Sequence, residues 1–242
     1  MLTEPLHQSL LTLGLRGMAR QFASQQKLSN NELSFEDRFS LLIDAEQSER
    51  MNYRYAQRVR WAKLGQSACM EGIDQRTPRG IDKGLLNKLN DLSFIRDKLN
   101  VLITGPTGVG KSYLACALGQ KACRDDQSVK YLRLPRLVEE LSRAQAQQKK
   151  SQLFKHLSKF ALLIIDDFGL APFSDQDKRD LLEIMEDRFD KSATLITSQL
   201  PVKNWHGYID EPTLADAILD RLVHNAYVIE LKGESMRKKR AQ

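Results

Sequence analysis

One octapeptide near the middle of the chain, Gly105-Pro106-Thr107-Gly108-Val109-Gly110-Lys111-Ser112, restricts the possible folds more than any other feature. It has the form G-x-x-x-x-G-K-S and stands in the context that gives the form meaning. The apolar run Val101-Leu102-Ile103 precedes it, and a helical pattern from Tyr113 to Lys121 follows. Glycines allow backbone N–H groups to curl around phosphate oxygens. A lysine at the seventh position then reaches the β and γ phosphates, and a hydroxyl at the eighth ligates Mg²⁺. The segment therefore predicts an ATP site with Gly105 to Tyr113 as binding residues, Lys111 as the catalytic cation and Ser112 as a metal ligand. The bland alternative, a glycine-rich turn without nucleotide, fits the strand before and the helix after less well.

Around this loop, strand-like runs alternate with helical segments: Asn100 to Thr104, Val129 to Leu134, Ala161 to Asp166, Ala193 to Ser198 and Ala226 to Leu231. Such alternation implies an α/β fold with a parallel sheet covered on both faces. The run Leu162-Leu163-Ile164-Ile165-Asp166-Asp167 places two carboxylates at the end of a buried strand, a costly arrangement unless they meet a metal or a hydrogen-bond network. Asp166 is the expected Mg²⁺ residue. Asp167 is the candidate base or water positioner, with an ordinary turn acid as the alternative. Thr197-Ser198-Gln199 ends another strand, where Gln199 either helps orient the water or caps the strand. Two arginines could meet the γ-phosphate during transfer: Arg221, on the helical stretch Thr213 to Val223, and Arg237, after Gly233-Glu234-Ser235-Met236. Read without context, a salt-bridge partner is the commoner fate of either arginine.

From Glu4 to Leu64 the pattern is helical throughout, with Phe35, Phe39, Leu42 and Ile43 at helical spacing. Arg50, Arg54 and Arg58 recur every four residues, joined by Arg60 and Lys63, which stacks a basic stripe on one helix face. Tyr53 and Trp61 interleave with these cations, at a spacing that more commonly packs aromatics against a core. The stretch Gly72 to Gly80, with Thr77-Pro78 and two glycines, reads as a linker, giving a helical domain over residues 1–70 and a nucleotide-binding domain over 71–242. A formal charge of +6 over 242 residues fits an anionic partner as well as simple solubility. Three cysteines without a C-x-x-C pair point away from a disulfide framework and towards a reducing compartment. No apolar run approaches membrane-spanning length, so the expected location is cytoplasmic, without membrane contact.

Together these motifs resemble the AAA+ ATPases, and more narrowly the IstB-like ATP-binding proteins that help insertion sequences transpose. The similarity is carried by Ile164-Ile165-Asp166-Asp167-Phe168-Gly169, Thr197-Ser198-Gln199-Leu200-Pro201, the stretch from Asp210 to Leu222, and Gly233-Glu234-Ser235-Met236-Arg237. The resemblance covers nearly the whole chain. It implies a three-layer fold with a five-stranded sheet ordered 5-1-4-3-2, preceded by a small helical domain, with ATP at the boundary between subunits of a homo-oligomer. It makes Arg221 an arginine finger acting in trans, Arg237 a second sensor on the bound phosphates, and Gln199 the first sensor.

The implied function is an ATP-dependent helper that assembles on duplex DNA largely independent of sequence. It deforms that DNA and recruits or activates a partner transposase, with hydrolysis as the assembly switch. The related DnaC-type helicase loaders provide the alternative function; a small-molecule kinase would need an acceptor site and lid that the sequence does not offer. The chain departs from many AAA+ proteins in having Asp166-Asp167 rather than Asp-Glu, which implies slow hydrolysis. In helicase loaders and initiators a helical insertion after the second strand lines a DNA channel. Here Pro135 to Lys159 holds that place, with Arg136, Arg143, Lys149, Lys150, Lys155 and Lys159 as phosphate-neutralising candidates beside the Arg50–Lys63 stripe. A solvated helix face is the alternative for both basic regions.

Overall fold

The computed structural model describes residues 3–27, 33–74 and 79–236. The chain divides into two compact units, Met1–Gln57 and Arg58–Gln242. The division falls inside a long helix, ahead of the 70/71 boundary expected from the glycine-rich stretch.

The first unit consists of α1 (Thr3–Thr12), α2 (Arg16–Lys27) and most of α3 (Phe35–Ala62). The first turn of a helix leaves N–H groups without intrahelical acceptors. At the start of α2 these are met by Glu46 of α3, whose carboxylate accepts from the N–H of Gly17 at 2.8 Å and of Met18 at 3.3 Å. Arg50 Nε donates to the same carboxylate at 2.7 Å. Burial pushes the Glu46 carboxyl up, but Arg50 and the two N–H groups outweigh it, so the group sits below the usual carboxylate range. The helical spacing of Phe35, Phe39 and Ile43 matches the observed helix without producing burial: all three are exposed, and the Phe35 and Phe39 rings stack on each other at 5.9 Å.

The second unit is built on five parallel strands in the order β2–β3–β4–β1–β5, the expected order counted from the opposite edge. They are β1 (Asn100–Thr104), β2 (Val129–Arg133), β3 (Leu162–Phe168), β4 (Ala193–Ser198) and β5 (Ala226–Glu230). The central strands β1 and β4 are buried along their whole length, as continuous apolar runs covered on both faces should be. Helices α4 (Lys83–Asn90) and α5 (Ser93–Arg96) precede β1, and the connections are α6 (Lys111–Arg124), α7 (Leu134–Ala146), α8 (Lys150–Ser158), α9 (Asp175–Arg188), a short α10 (Trp205–Ile209) and α11 (Pro212–Val223). Parallel strands with helical crossovers bring the segments that follow β1, β3 and β4 to one edge of the sheet, where open α/β sheets bind ligands.

Strand β3 runs past its expected end at Asp166 to Phe168. Its pairing with β4 is irregular between Ile165 and Phe168, and Asp167 has φ +63°. A left-handed residue breaks the alternation of side chains, so the two acids do not simply point to opposite faces. At the far end of the sheet the fully buried Arg188 bonds neutral acceptors, with Nε on Thr194 Oγ1 at 3.0 Å and one terminal nitrogen shared between the carbonyls of Leu157 and Phe160. Burial lowers its pKa to about 9.

Candidate nucleotide site

The loop from Gly105 to Gly110 leaves β1 and enters α6 with its glycines at φ +142° (Gly105), +85° (Gly108) and +105° (Gly110). Gly105 and Gly108 are also fixed by space. A Cβ at Gly105 would lie 2.2 Å from the Leu231 carbonyl oxygen, and one at Gly108 would lie 2.2 Å from Ser235 Oγ. Lys111 opens α6 with its ammonium donating to the carbonyls of Gly105 at 2.7 Å and Pro106 at 2.8 Å. Burial lowers the Lys111 pKa, while Asp166 and Asp167 pull it upward. Both acids therefore act on the lysine that the sequence assigned to phosphate.

Asp166 is almost fully buried and receives hydroxyl donors from three elements. Ser112 Oγ donates to its Oδ1 at 3.0 Å, Thr197 Oγ1 donates to the same oxygen, and the Tyr131 hydroxyl donates to Oδ2 at 2.5 Å. Burial, and after it the Asp166 carboxylate, hold the Tyr131 hydroxyl well above its ordinary range, so it remains a donor. Asp167 donates its N–H to Thr197 Oγ1 at 3.2 Å, and its carboxylate accepts from Arg133 Nε at 2.7 Å. Gln199 follows β4 and accepts from Thr107 Oγ1 at 2.9 Å, which places it against the phosphate loop.

A cavity of about 220 Å³ adjoins the loop, with Ile73, Arg79, Tyr113 and Leu231 among its walls. This corrects the reading of Gly72 to Gly80 as a linker: the described ends of that stretch form part of the site. Arg79 is buried, donating to the Val109 carbonyl at 3.1 Å and to the Asp74 carbonyl at 2.5 Å, while the Lys232 N–H donates to the Arg79 carbonyl at 2.9 Å. Composition hid this role, because a Pro-Arg-Gly sequence is as typical of a loop as of a clamp. Arg79, Tyr131 and Arg133 were all missed. The available signal was a tyrosine and an arginine two residues apart at the end of an apolar strand.

Arg221 lies elsewhere. It sits in the last turn of α11, where its backbone carbonyl accepts from the Asn100 side chain at 2.9 Å, at the first residue of β1. Its guanidinium bonds the Ala217 carbonyl at 2.8 Å and Glu186 at 2.9 Å. Five strand residues, about 13 Å from first Cα to last, separate that end of β1 from the phosphate loop. Arg237 lies outside the described residues; Met236 just before it donates its N–H to the Gly108 carbonyl at 2.9 Å.

The basic candidates separate into two groups. Arg58 pairs with Asp126 at 2.6 Å and Lys150 with Asp180 at 2.5 Å, each with its side chain mostly buried. Arg50 is exposed but engaged by Glu46, whereas Arg54, Arg60, Lys63, Arg143, Lys149 and Lys155 are exposed. Tyr53 and Trp61, expected against a core, are 62% and 66% exposed on α3. No helix among the described residues is long and apolar enough to cross a membrane.

A family model of IstB-like ATP binding proteins matches residues 8–242. The insertion sequence ATP-binding protein y4pL of Sinorhizobium fredii is 49% identical over 241 residues, covering 98% of each chain. Among solved structures, DnaI superimposes with a TM-score of 0.58 at 22% identity, covering 68% of this chain and 91% of its own. The DnaC helicase loader does so with a TM-score of 0.56 at 16% identity, covering 68% and 97%. Those two likenesses concern the fold alone, a parallel α/β sheet covered by helices. The phosphate loop with its paired acids and the full-length match together establish that this chain is an ATPase belonging to the IstB-like ATP-binding proteins of insertion sequences.

Proposed function

We propose that the protein assembles as an ATP-dependent oligomer on target duplex DNA, deforms it and delivers it to a partner transposase, with hydrolysis reversing the assembly. The observation that carries this reading is the separation of Lys111 and Arg221 at opposite ends of β1. A cation so placed does not reach the γ-phosphate of its own chain, so as an arginine finger it would serve a neighbour's, which would make ATP a bond between subunits. In this reading Lys111 turns from the Gly105 and Pro106 carbonyls to the phosphates, Asp167 positions water with Gln199, and Arg237 contacts phosphate as a second sensor. Ser112 and Asp166 offer hard oxygen donors, the chemistry Mg²⁺ requires. Among the described residues no cluster of three or more His, Cys, Asp or Glu competes for it. Bound Mg²⁺ would neutralise charge on the β and γ phosphates.

DNA contact is assigned to the exposed cations Arg54, Arg60 and Lys63 on and after α3, and to Arg143, Lys149 and Lys155 on and beside α7 and α8. Such contacts neutralise phosphates without reading bases. Exposed Tyr53 and Trp61 beside Arg54 and Arg60 suit a nucleic-acid face. Residues 1–70 would then be the partner-binding part and 71–242 the ATPase, although Arg58 belongs to the second compact unit, where it pairs with Asp126.

The test is fluorescence anisotropy with labelled duplex and single-stranded DNA of equal length, with and without ATP, on the wild-type protein and Lys111→Ala. ATP-dependent binding that favours duplex and is lost in Lys111→Ala is expected. Preference for single strands would move the assignment to helicase loading, and unchanged binding by Lys111→Ala would end the assembly-switch reading.

A further inference from the structure

Asp166 is held from both flanking strands. Thr197 on β4 and Ser112 at the start of α6 donate to Oδ1, leaving Oδ2 to Tyr131 on β2. The tyrosine ring is buried, and its hydroxyl lies against Gly65, in the segment that follows α3: a Cβ at Gly65 would stand 2.5 Å from that oxygen and 2.7 Å from Cζ. The absence of a side chain at Gly65 is thus what leaves room for the hydroxyl to reach the carboxylate. A carboxylate fixed by one oxygen alone can rotate about its Cβ–Cγ bond; bonds to both oxygens from opposite sides set its plane. Partners of this kind orient a metal ligand without touching the metal, and losing one typically costs about 10–100-fold in metal affinity.

We propose that Tyr131 is a positioning residue for the Mg²⁺-binding carboxylate, acting through Asp166 Oδ2, and that Gly65 is the residue that permits it. This rests on the assignment of Asp166 and Ser112 to Mg²⁺, and the experiment separates the two claims. A fluorescent ATP analogue, mant-ATP, is titrated into the protein in EDTA and then across a range of Mg²⁺ concentrations, with binding read from the fluorophore. The wild type should bind more tightly as Mg²⁺ rises, and Asp166→Ala should lose that increment; absence of the increment in the wild type would refute the Mg²⁺ assignment itself. Tyr131→Phe keeps the ring. It should match the wild type in EDTA while its Mg²⁺ midpoint rises about tenfold or more. A merely structural tyrosine would weaken binding in EDTA as well or leave the midpoint unchanged, and either result overturns the proposal.

Gly65→Ala provides a second route, since the new methyl group displaces the hydroxyl without altering Tyr131. It should raise the midpoint similarly, and combining it with Tyr131→Phe should add less than the sum of the two effects, because both act through one hydrogen bond. A wild-type midpoint in Gly65→Ala would overturn the proposal even if Tyr131→Phe proved too unstable to assay, and with all variants in hand full additivity would overturn it as well.

Discussion

Replacing Arg221 by alanine separates binding from hydrolysis if the assignment in trans is right. The local cost is small. Its ion pair with Glu186 is partly exposed, with the two side chains at 27% and 51%, and such pairs contribute at most about 1 kcal/mol. The protein should therefore fold, and because Arg221 lies beside Asn100 at the far end of β1, it should bind ATP as the wild type does. Hydrolysis should fall by about 10³–10⁵, the usual contribution of an arginine finger, equivalent to roughly 4–7 kcal/mol in the transition state. Mixing supplies the sharper number. In a 1:1 mixture of Arg221→Ala and Asp167→Ala, about half of the sites carry an intact Asp167 and about half of the neighbours supply an intact arginine, so random assembly restores about a quarter of the sites. Phosphate release across mixing ratios, with co-assembly checked by light scattering on duplex DNA, measures it. Wild-type turnover by Arg221→Ala alone, or no recovery at any ratio despite co-assembly, would refute the reasoning.

Three further outcomes follow from named contacts. Arg133 occupies the Asp167 carboxylate at 2.7 Å, so Arg133→Ala should free that acid and raise DNA-independent phosphate release severalfold; a fall in turnover would mean that Arg133 aligns Asp167 instead of restraining it. The lowered pKa of Glu46 means that its stabilisation is present above the unfolded value near 4.5 and is lost as pH falls through the folded value. Amide exchange in α2 should accelerate over that acid range in the wild type and stay flat in Glu46→Gln, at an initial cost of about 1 kcal/mol; parallel pH profiles would contradict this. Charge removal at Arg54, Arg60 or Lys149 should each reduce the salt dependence of duplex binding by about one counterion, whereas Arg58→Gln and Lys150→Gln should leave the slope unchanged; equal effects across all five would refute the division.

The phosphate loop was legible because its chemistry is local: eight consecutive residues with a strand before and a helix after contain the whole signal. The acids of β3 were legible for the same reason, since carboxylates ending an apolar run stand out in one dimension. Strand order came only with the family resemblance. What stayed hidden depends on distant partners. Arg58 and Lys150 look like members of basic stripes until Asp126 and Asp180, far along the chain, fold against them. Arg79 reads as a linker residue until its guanidinium meets the Val109 carbonyl. Tyr131 reads as an ordinary strand aromatic, because neither its bond to Asp166 nor the room left by Gly65 has a sequence signature. Tyr53 and Trp61 failed differently: helical periodicity located α3 but could not say which side of it would be covered.

In the proposed function the ATP site on one chain is half of a catalytic site, completed by Arg221 of the next chain on DNA. Electron microscopy of the protein on duplex DNA, with and without ATP, tests it most directly. Ordered oligomers should form only with ATP, with the β1 end bearing Arg221 of one subunit facing Lys111 of its neighbour. Isolated subunits on DNA regardless of ATP, or oligomers in which Arg221 faces solvent, would contradict it.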